Sequence, residues 1–101
     1  MRFTFSERIF LCMLLPKYGT VETLRMTQAV LKKIEVTNAE IVSHKIQKKP
    51  DGNLAWENGK LEYEIALNEM EQDFVAGVLA DASLNKRLGI QLLETYDKFI
   101  P

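Results

Sequence analysis

The segment HKIQKKPDGNLAWENGKLEYEIAL, residues 44–67, decides the fold class of this chain. Three short runs in it have the composition of β-strands: HKIQKK, NLAWE and LEYEIAL. Pro50–Asn53 and Asn58-Gly59 separate the runs, and both are strong turn signals. In the last run the apolar residues alternate with polar ones: Leu61, Tyr63, Ile65 and Leu67. The segment therefore predicts a three-stranded antiparallel meander with one apolar face that helices must cover.

Two helices are predicted before the meander. Ser6 is expected to cap the first helix, and the apolar run Ile9–Leu15 continues it up to a proline. Thr20 is expected to cap the second, whose apolar positions recur with the helical period: Val21, Leu24, Thr27, Val30, Leu31 and Ile34. Between them, Pro16–Gly19 has the chemistry of a helix–helix turn and lacks the several glycines of a phosphate-binding loop.

Further caps complete the predicted architecture. Thr37 with Glu40 forms a capping box that predicts a short helical turn, and Asn68 with Glu71 opens a helix after the meander. A last helix is expected from about residue 88 to the C-terminus. The sequence thus predicts one α+β domain over residues 1–101, in which two helices and a short helical turn precede the meander and two helices follow it.

Composition describes an ordinary globular chain of 101 residues, 47% apolar and 27% charged. Residues 1–50 hold nine Lys and Arg against four Asp and Glu, a net charge of +5, and the remainder has a net charge of −6. Either the halves form separate charged surfaces or they interleave, and interleaving is the simpler expectation. The longest apolar run is too short to cross a bilayer and no cleavage site follows it, so a cytoplasmic protein is expected.

Residues suited to catalysis are scarce. The chain has one histidine, His44, and one cysteine, Cys12, which lies in an apolar run where burial is expected. No nucleophile elbow, Walker loop or dinucleotide-binding fingerprint is present. We therefore expect no enzymatic activity, no cofactor and no metal site.

Partner binding has better support. Tyr18 and Trp56 are aromatic residues of the type that anchors interfaces, and Lys48 and Lys49 would add basic side chains at the edge of such an interface. Trp56 would also suit the packed face of a sheet. A homodimer is a further expectation. An alternative is a nucleotide site made by Arg25, Lys45, Lys48 and Trp56. Weak binding of nucleic acid by the basic HKIQKK strand is a third interpretation, but lysines on an edge strand also prevent aggregation.

Short motifs along nearly the whole chain resemble a family of small proteins encoded in tailed-phage genomes and prophages. The most specific are the Leu-Pro-Lys-x-Gly turn at Leu15–Gly19 and the terminal Tyr-Asp-Lys-Phe at Tyr96–Phe99. Weaker matches are Glu7-Arg8, Thr23-Leu24, Asn38–Ile41, Asp51-Gly52 with Trp56, Glu62–Leu67 and Glu71. The chain departs from the family between Ala82 and Leu92, at Arg87 and Gly89.

The resemblance implies an origin in a phage or prophage and carries no catalytic residues. It favours a non-enzymatic accessory protein that binds a host or phage protein in the bacterial cytoplasm. Under the alternative, the protein would counter host defence by sequestering a nucleotide signal.

Overall fold

A computed structural model describes residues 1–101. The elements in chain order are β1 (Arg2–Thr4), α1 (Phe5–Leu14), α2 (Val21–Ile34), α3 (Asn38–Ser43), β2 (Gln47–Lys48), β3 (Leu54–Ala55), β4 (Glu62–Glu64), α4 (Glu69–Leu84), a 3₁₀ turn (Ile90–Leu92) and α5 (Leu93–Phe99). The chain is therefore a mixed helix-and-sheet protein, as predicted, with helices before and after β2, β3 and β4 in the sequence.

The sheet differs from the predicted meander. β2 and β3 form the expected first hairpin, but β4 leaves them and pairs antiparallel with β1, so that two separate two-stranded sheets result. Phe3 lies opposite Tyr63, and the pairing extends past the strand because the Phe5 and Ser6 N–H groups donate to the carbonyls of Leu61 and Gly59. Asn58-Gly59 is thus a turn that directs the chain toward the N-terminal segment. The predicted meander is wrong because the backbone N–H and C=O groups of β4 pair with those of β1 and not with those of β3.

The start of α1 also differs from the prediction, which placed its cap at Ser6. The Thr4 hydroxyl accepts from the Glu7 N–H at 3.1 Å, and the Glu7 carboxylate accepts from the Thr4 N–H at 2.9 Å, which makes a capping box two residues earlier. Because β1 ends at Thr4, the helix begins directly at the end of the strand. The Ser6 hydroxyl instead accepts from the indole N–H of Trp56.

The remaining caps agree with the sequence predictions. Thr20 caps α2, and the capping boxes at Thr37 and Asn68 open α3 and α4. α4 continues to Leu84, and the last helical segment starts with the 3₁₀ turn at Ile90. α1 ends where proline requires, since Leu15 before Pro16 is extended with ψ 143°.

One hydrophobic core joins the β1–β4 sheet to three helices and the 3₁₀ turn. Its buried members are Phe3, Leu11, Leu15, Val30, Ile34, Ile65, Leu67, Val75, Leu79 and Leu92. Ile65 and Leu67 follow β4 on the apolar side that the alternation predicted. Burial of these side chains is the main favourable term in the stability of the fold.

A buried guanidinium joins three helices. Arg8, only 4% exposed, donates from Nε to the Ile34 carbonyl at 3.0 Å and from Nη2 to the Glu35 carbonyl at 2.8 Å. It also binds both carboxylate oxygens of Glu40 in α3. A cation at the C-terminal end of α2 suits the helix dipole. The hydrogen bonds from Arg8 hold the pKa of Glu40 down at about 2.

A second buried cluster attaches the C-terminal helix. The Thr95 hydroxyl donates to Glu7 Oε2 at 2.5 Å, and Lys98 Nζ lies 2.7 Å from Glu7 Oε1. Burial alone would raise the pKa of Glu7, but the hydrogen bonds from Lys98, the Thr4 N–H and Thr95 lower it below its ordinary value. Glu7 therefore links α1 to α5 across 88 residues of sequence.

His44 holds the β2–β3 hairpin against the other sheet. Its ring stacks on Phe5 with a centroid separation of 3.6 Å, Nδ1 lies 2.7 Å from the Glu57 carbonyl, and Nε2 lies 2.7 Å from the Tyr63 hydroxyl. Because a carbonyl oxygen can only accept, Nδ1 carries a proton, and in the neutral ring Nε2 then accepts from the Tyr63 hydroxyl. His44 is thus a buried structural residue at the end of α3.

Protonation of Glu40 should weaken the fold in acid. Its pKa lies at about 2, below the unfolded value of 4.5, so its contribution is complete above pH 4.5 and is lost as the pH falls toward 2. We expect Glu40→Gln to be up to about 3 kcal/mol less stable than the wild type at pH 7, with the difference disappearing near pH 2. Urea denaturation at several pH values measures this difference.

Asp73→Asn is the control, because Asp73 is exposed and forms no ion pair. Its free energy of unfolding should follow that of the wild type through the same pH range. A gap between wild type and Glu40→Gln that does not change with pH would contradict the assigned role of the Arg8–Glu40 pair.

Candidate interaction surface

An apolar depression of about 350 Å³ opens between α1, α2, α3 and the β2–β3 hairpin. Eight of its nine lining residues are hydrophobic, and the lining comprises Ile9, Cys12, Met13, Leu31, Glu35, Val36, Ile41, Ile46 and Leu54. Several of these side chains are substantially exposed, including Met13 at 56%. The depression lies where α1, α3 and the hairpin meet the C-terminal part of α2.

Leu31 also lines a shallower groove of about 520 Å³ that runs along α2 toward the α1–α2 turn. Val21 and Leu24 lie in this groove, about three and two helical turns before Leu31, and Val21 is 67% exposed. The depression and the groove therefore adjoin at Leu31. We call the two together the apolar face, represented by Met13, Val21, Leu24, Leu31, Ile41 and Leu54.

Four cations border the apolar face, and we call them the basic rim: Lys17, Arg25, Lys32 and Lys48. Lys17 and Arg25 line the groove, and Lys32 lies seven residues after Arg25 on the same side of α2. Lys48 lies directly opposite Leu54 in the hairpin, so their side chains emerge on the same side. None of the four forms an ion pair within the chain.

The predicted anchor Tyr18 borders a different groove. Its side chain is 90% exposed in the α1–α2 turn, on the edge of a cleft of about 720 Å³ between that turn and α4. Charges in this cleft are balanced: Lys17, Asp73, Asp81 and Arg87. Pro16–Gly19 is a turn, as predicted, and it also forms one wall of this cleft.

Trp56 is half-buried and packed. Its indole N–H donates to the Ser6 hydroxyl at 2.9 Å, and its ring meets Phe10 edge-on at a centroid distance of 5.6 Å. Gly59 permits this arrangement, since a Cβ at that position would lie 2.2 Å from Ser6 Oγ. Trp56 does not share the cleft of Tyr18.

The residues of the predicted nucleotide site do not converge. Arg25 lines two grooves on α2, neither of which contains Lys45, Lys48 or Trp56. Lys45 lies 3.6 Å from Glu57 in an exposed ion pair, and the Trp56 N–H is occupied by Ser6. Of the predicted lysines at the hairpin, Lys48 borders the apolar face, while Lys49 is an exposed residue of the turn between β2 and β3.

Cys12 and His44 do not form a catalytic pair. Burial raises the pKa of the Cys12 thiol to about 11, so that it stays protonated at neutral pH and contributes an apolar surface to the depression. Both ring nitrogens of His44 are occupied by Glu57 and Tyr63. The arrangement lacks an activated thiolate nucleophile at this site.

The apolar face is the feature that sequence reasoning missed. The predicted buried stripe of α2 consists of two rows: Thr27, Val30 and Ile34 face the core, whereas Val21, Leu24 and Leu31 face outward or lie partly covered. The sequence did contain a sign of this exposed face, because the apolar stripe of α2 is wider than a helix needs in order to bury one side against a core.

The charged halves of the chain interleave. Ion pairs join Arg2 to Glu62 and Lys33 to Glu71, and the N-terminal amino group lies 3.1 Å from Glu64. Together with the pair of Lys45 and Glu57, these contacts join three of the nine Lys and Arg residues of the first half to carboxylates of the second. The basic rim is part of what they leave uncompensated.

No protein-family model, curated protein or solved structure matches this chain. None of the helices is both long enough and apolar enough to span a membrane. No group of three or more His, Cys, Asp or Glu side chains is placed to hold a metal ion.

Replacing Trp56 with alanine tests whether this residue belongs to the fold. We expect Trp56→Ala to lower the free energy of unfolding by about 2–3 kcal/mol, because it removes the contact with Phe10 and the hydrogen bond to Ser6. Trp56→Phe keeps most of the ring packing and should cost about 1 kcal/mol. Urea denaturation followed by circular dichroism measures both values.

Tyr18→Ala serves as the matched control and should change stability by less than about 0.5 kcal/mol, since the side chain is exposed. A Trp56→Ala variant as stable as the wild type would show that the ring is free, and would restore it as a candidate partner anchor.

Proposed function

We propose that this protein is a non-enzymatic interaction protein that binds a protein partner through the apolar face. The observation that carries the proposal is the apolar depression, in which eight of the nine lining residues are hydrophobic and which adjoins the α2 groove at Leu31. Contiguous exposed apolar surface with a polar rim is typical of protein interaction sites, whereas single exposed hydrophobic residues are ordinary.

The chemistry of the lining supports a protein partner over a nucleotide or a nucleic acid. A phosphate-binding site needs converging cations or N–H donors, and the depression contains one charged residue, Glu35, which is acidic. The four residues of the nucleotide alternative lie apart. Apolar lining of this kind instead suits aliphatic and aromatic side chains of another protein.

The absence of an activated nucleophile at Cys12 supports a binding role. If the resemblance to phage and prophage proteins reflects ancestry, the partner is a host or phage protein in the bacterial cytoplasm. A second copy of this chain is the other protein partner to consider, and the measurements below separate the two.

Selection from a random peptide library tests the proposal. We expect immobilised wild-type protein to enrich peptides that a Met13→Lys/Leu54→Lys variant does not bind, because lysine side chains interrupt the depression. Both residues are exposed enough to be replaced without removing core contacts, at 56% and 39%. Binding of the enriched peptides is then measured by fluorescence anisotropy.

Leu61→Lys/Leu84→Lys is the matched control, since it replaces two exposed apolar residues outside the apolar face. It should bind the enriched peptides as the wild type does. Failure to enrich any peptide that depends on Met13 and Leu54 would overturn the proposed function, provided that the variants keep the wild-type circular dichroism spectrum.

A further inference from the structure

We infer that the partner presents an acidic amphipathic helix to the apolar face. This inference rests on the proposed function and specifies the chemistry of the partner. It follows from three properties of the surface: the sign of its rim, the shape of its apolar lining and the poor fit of a second copy.

The rim is positive, and none of its four members forms an ion pair within the chain. Its members come from the α1–α2 turn, from α2 and from the hairpin, so separate elements place cations around the same apolar surface. Of the nine other Lys and Arg residues, six form ion pairs within the chain, for example Arg8 with Glu40 and Lys33 with Glu71, and three do not: Lys49, Lys60 and Lys86. Glu35 is the one carboxylate in the lining of the depression and the groove. Carboxylates on a partner would therefore meet complementary charge.

The shape of the surface suits a helix. Val21, Leu24 and Leu31 lie along one side of α2, with Gln28 between the last two, and the row covers roughly 15 Å at the rise of an α-helix. The row ends in the depression, which offers a deeper position for one large apolar side chain. Residues at helical spacing on one face of a partner helix can follow such a row.

An added β-strand fits less well. β2 and β3 contain two residues each, so their free edges offer few backbone groups for pairing with another chain. Recognition by β-augmentation would also leave the α2 row uncovered. The helix therefore uses more of the surface than a strand would.

A second copy is disfavoured by charge. In a two-fold dimer the same patch contacts itself, which would bring the basic rim of one copy against that of the other. Like charges across an interface weaken association and reduce its rate. An acidic partner removes this repulsion, because its carboxylates face Arg25 and Lys32 along the outer side of α2.

Two designed peptides test the inference. Both have about 15 residues, enough to form a helix on binding, and carry leucines at positions i, i+3, i+4 and i+7. One has glutamate on its flanking positions and the other has lysine. At low ionic strength we expect wild-type protein to bind the glutamate peptide at least about tenfold more tightly, with the difference narrowing as salt is added.

Charge reversal on α2 provides the matched variants. Arg25→Glu/Lys32→Glu should lose the preference for the glutamate peptide or reverse it. Lys60→Glu/Lys86→Glu changes the net charge by the same amount at exposed residues outside the basic rim and should keep the preference. Circular dichroism and melting temperature confirm that each variant is folded.

Equal binding of the two peptides, or tighter binding of the lysine peptide, would overturn the acidic partner while leaving the proposed function in place. The acidic partner would also be overturned, with the proposed function left in place, if library peptides that need Met13 and Leu54 displace neither designed peptide.

A self-association that Met13→Lys/Leu54→Lys abolishes, seen by analytical ultracentrifugation, would assign the apolar face to a second copy of the chain. If the random library also enriches no peptide, both the acidic helix and the proposed protein-binding function are overturned.

Discussion

The buried guanidinium of Arg8 is the interaction on which the arrangement of the helices depends. A charge taken out of water is costly unless its hydrogen bonds are satisfied, and Arg8 satisfies its own with two carbonyls at the end of α2 and a carboxylate in α3. These partners fix where α2 ends and how α3 follows it. The walls of the apolar depression come from the same elements, so a buried polar contact in α1 sets the geometry of an exposed apolar surface.

The opposite wall depends on a second set of contacts. His44 joins the end of α3 to Glu57 and Tyr63, while Ser6 binds the indole of Trp56. The hairpin itself has only two paired residues in each strand and would be marginal alone. Because these side chains attach it to α1 and β4, Leu54 and Lys48 occupy fixed positions beside the depression.

The division of α2 into two rows connects stability with interaction. Thr27, Val30 and Ile34 contribute to the core, whereas Val21 and Leu24 remain largely in water. Because Val21 and Leu24 are exposed, their side chains do not contribute to the hydrophobic core that the other row helps to form. Val21 and Leu24 lie beside unpaired cations. The proposed acidic partner would cover these leucine and valine side chains with its apolar residues and would face the cations with its carboxylates.

The sequence by itself determined the features that depend on neighbouring residues. The caps at Thr20, Thr37 and Asn68, the turn at Pro16 and the hairpin between β2 and β3 all follow from local chemistry, which residue types specify directly. Only the tertiary structure decided that β4 pairs with β1, that Trp56 packs on Ser6 and that Val21 faces outward. Strand pairing uses backbone groups that every residue carries, and burial depends on which elements meet, so neither is specified by local residue type.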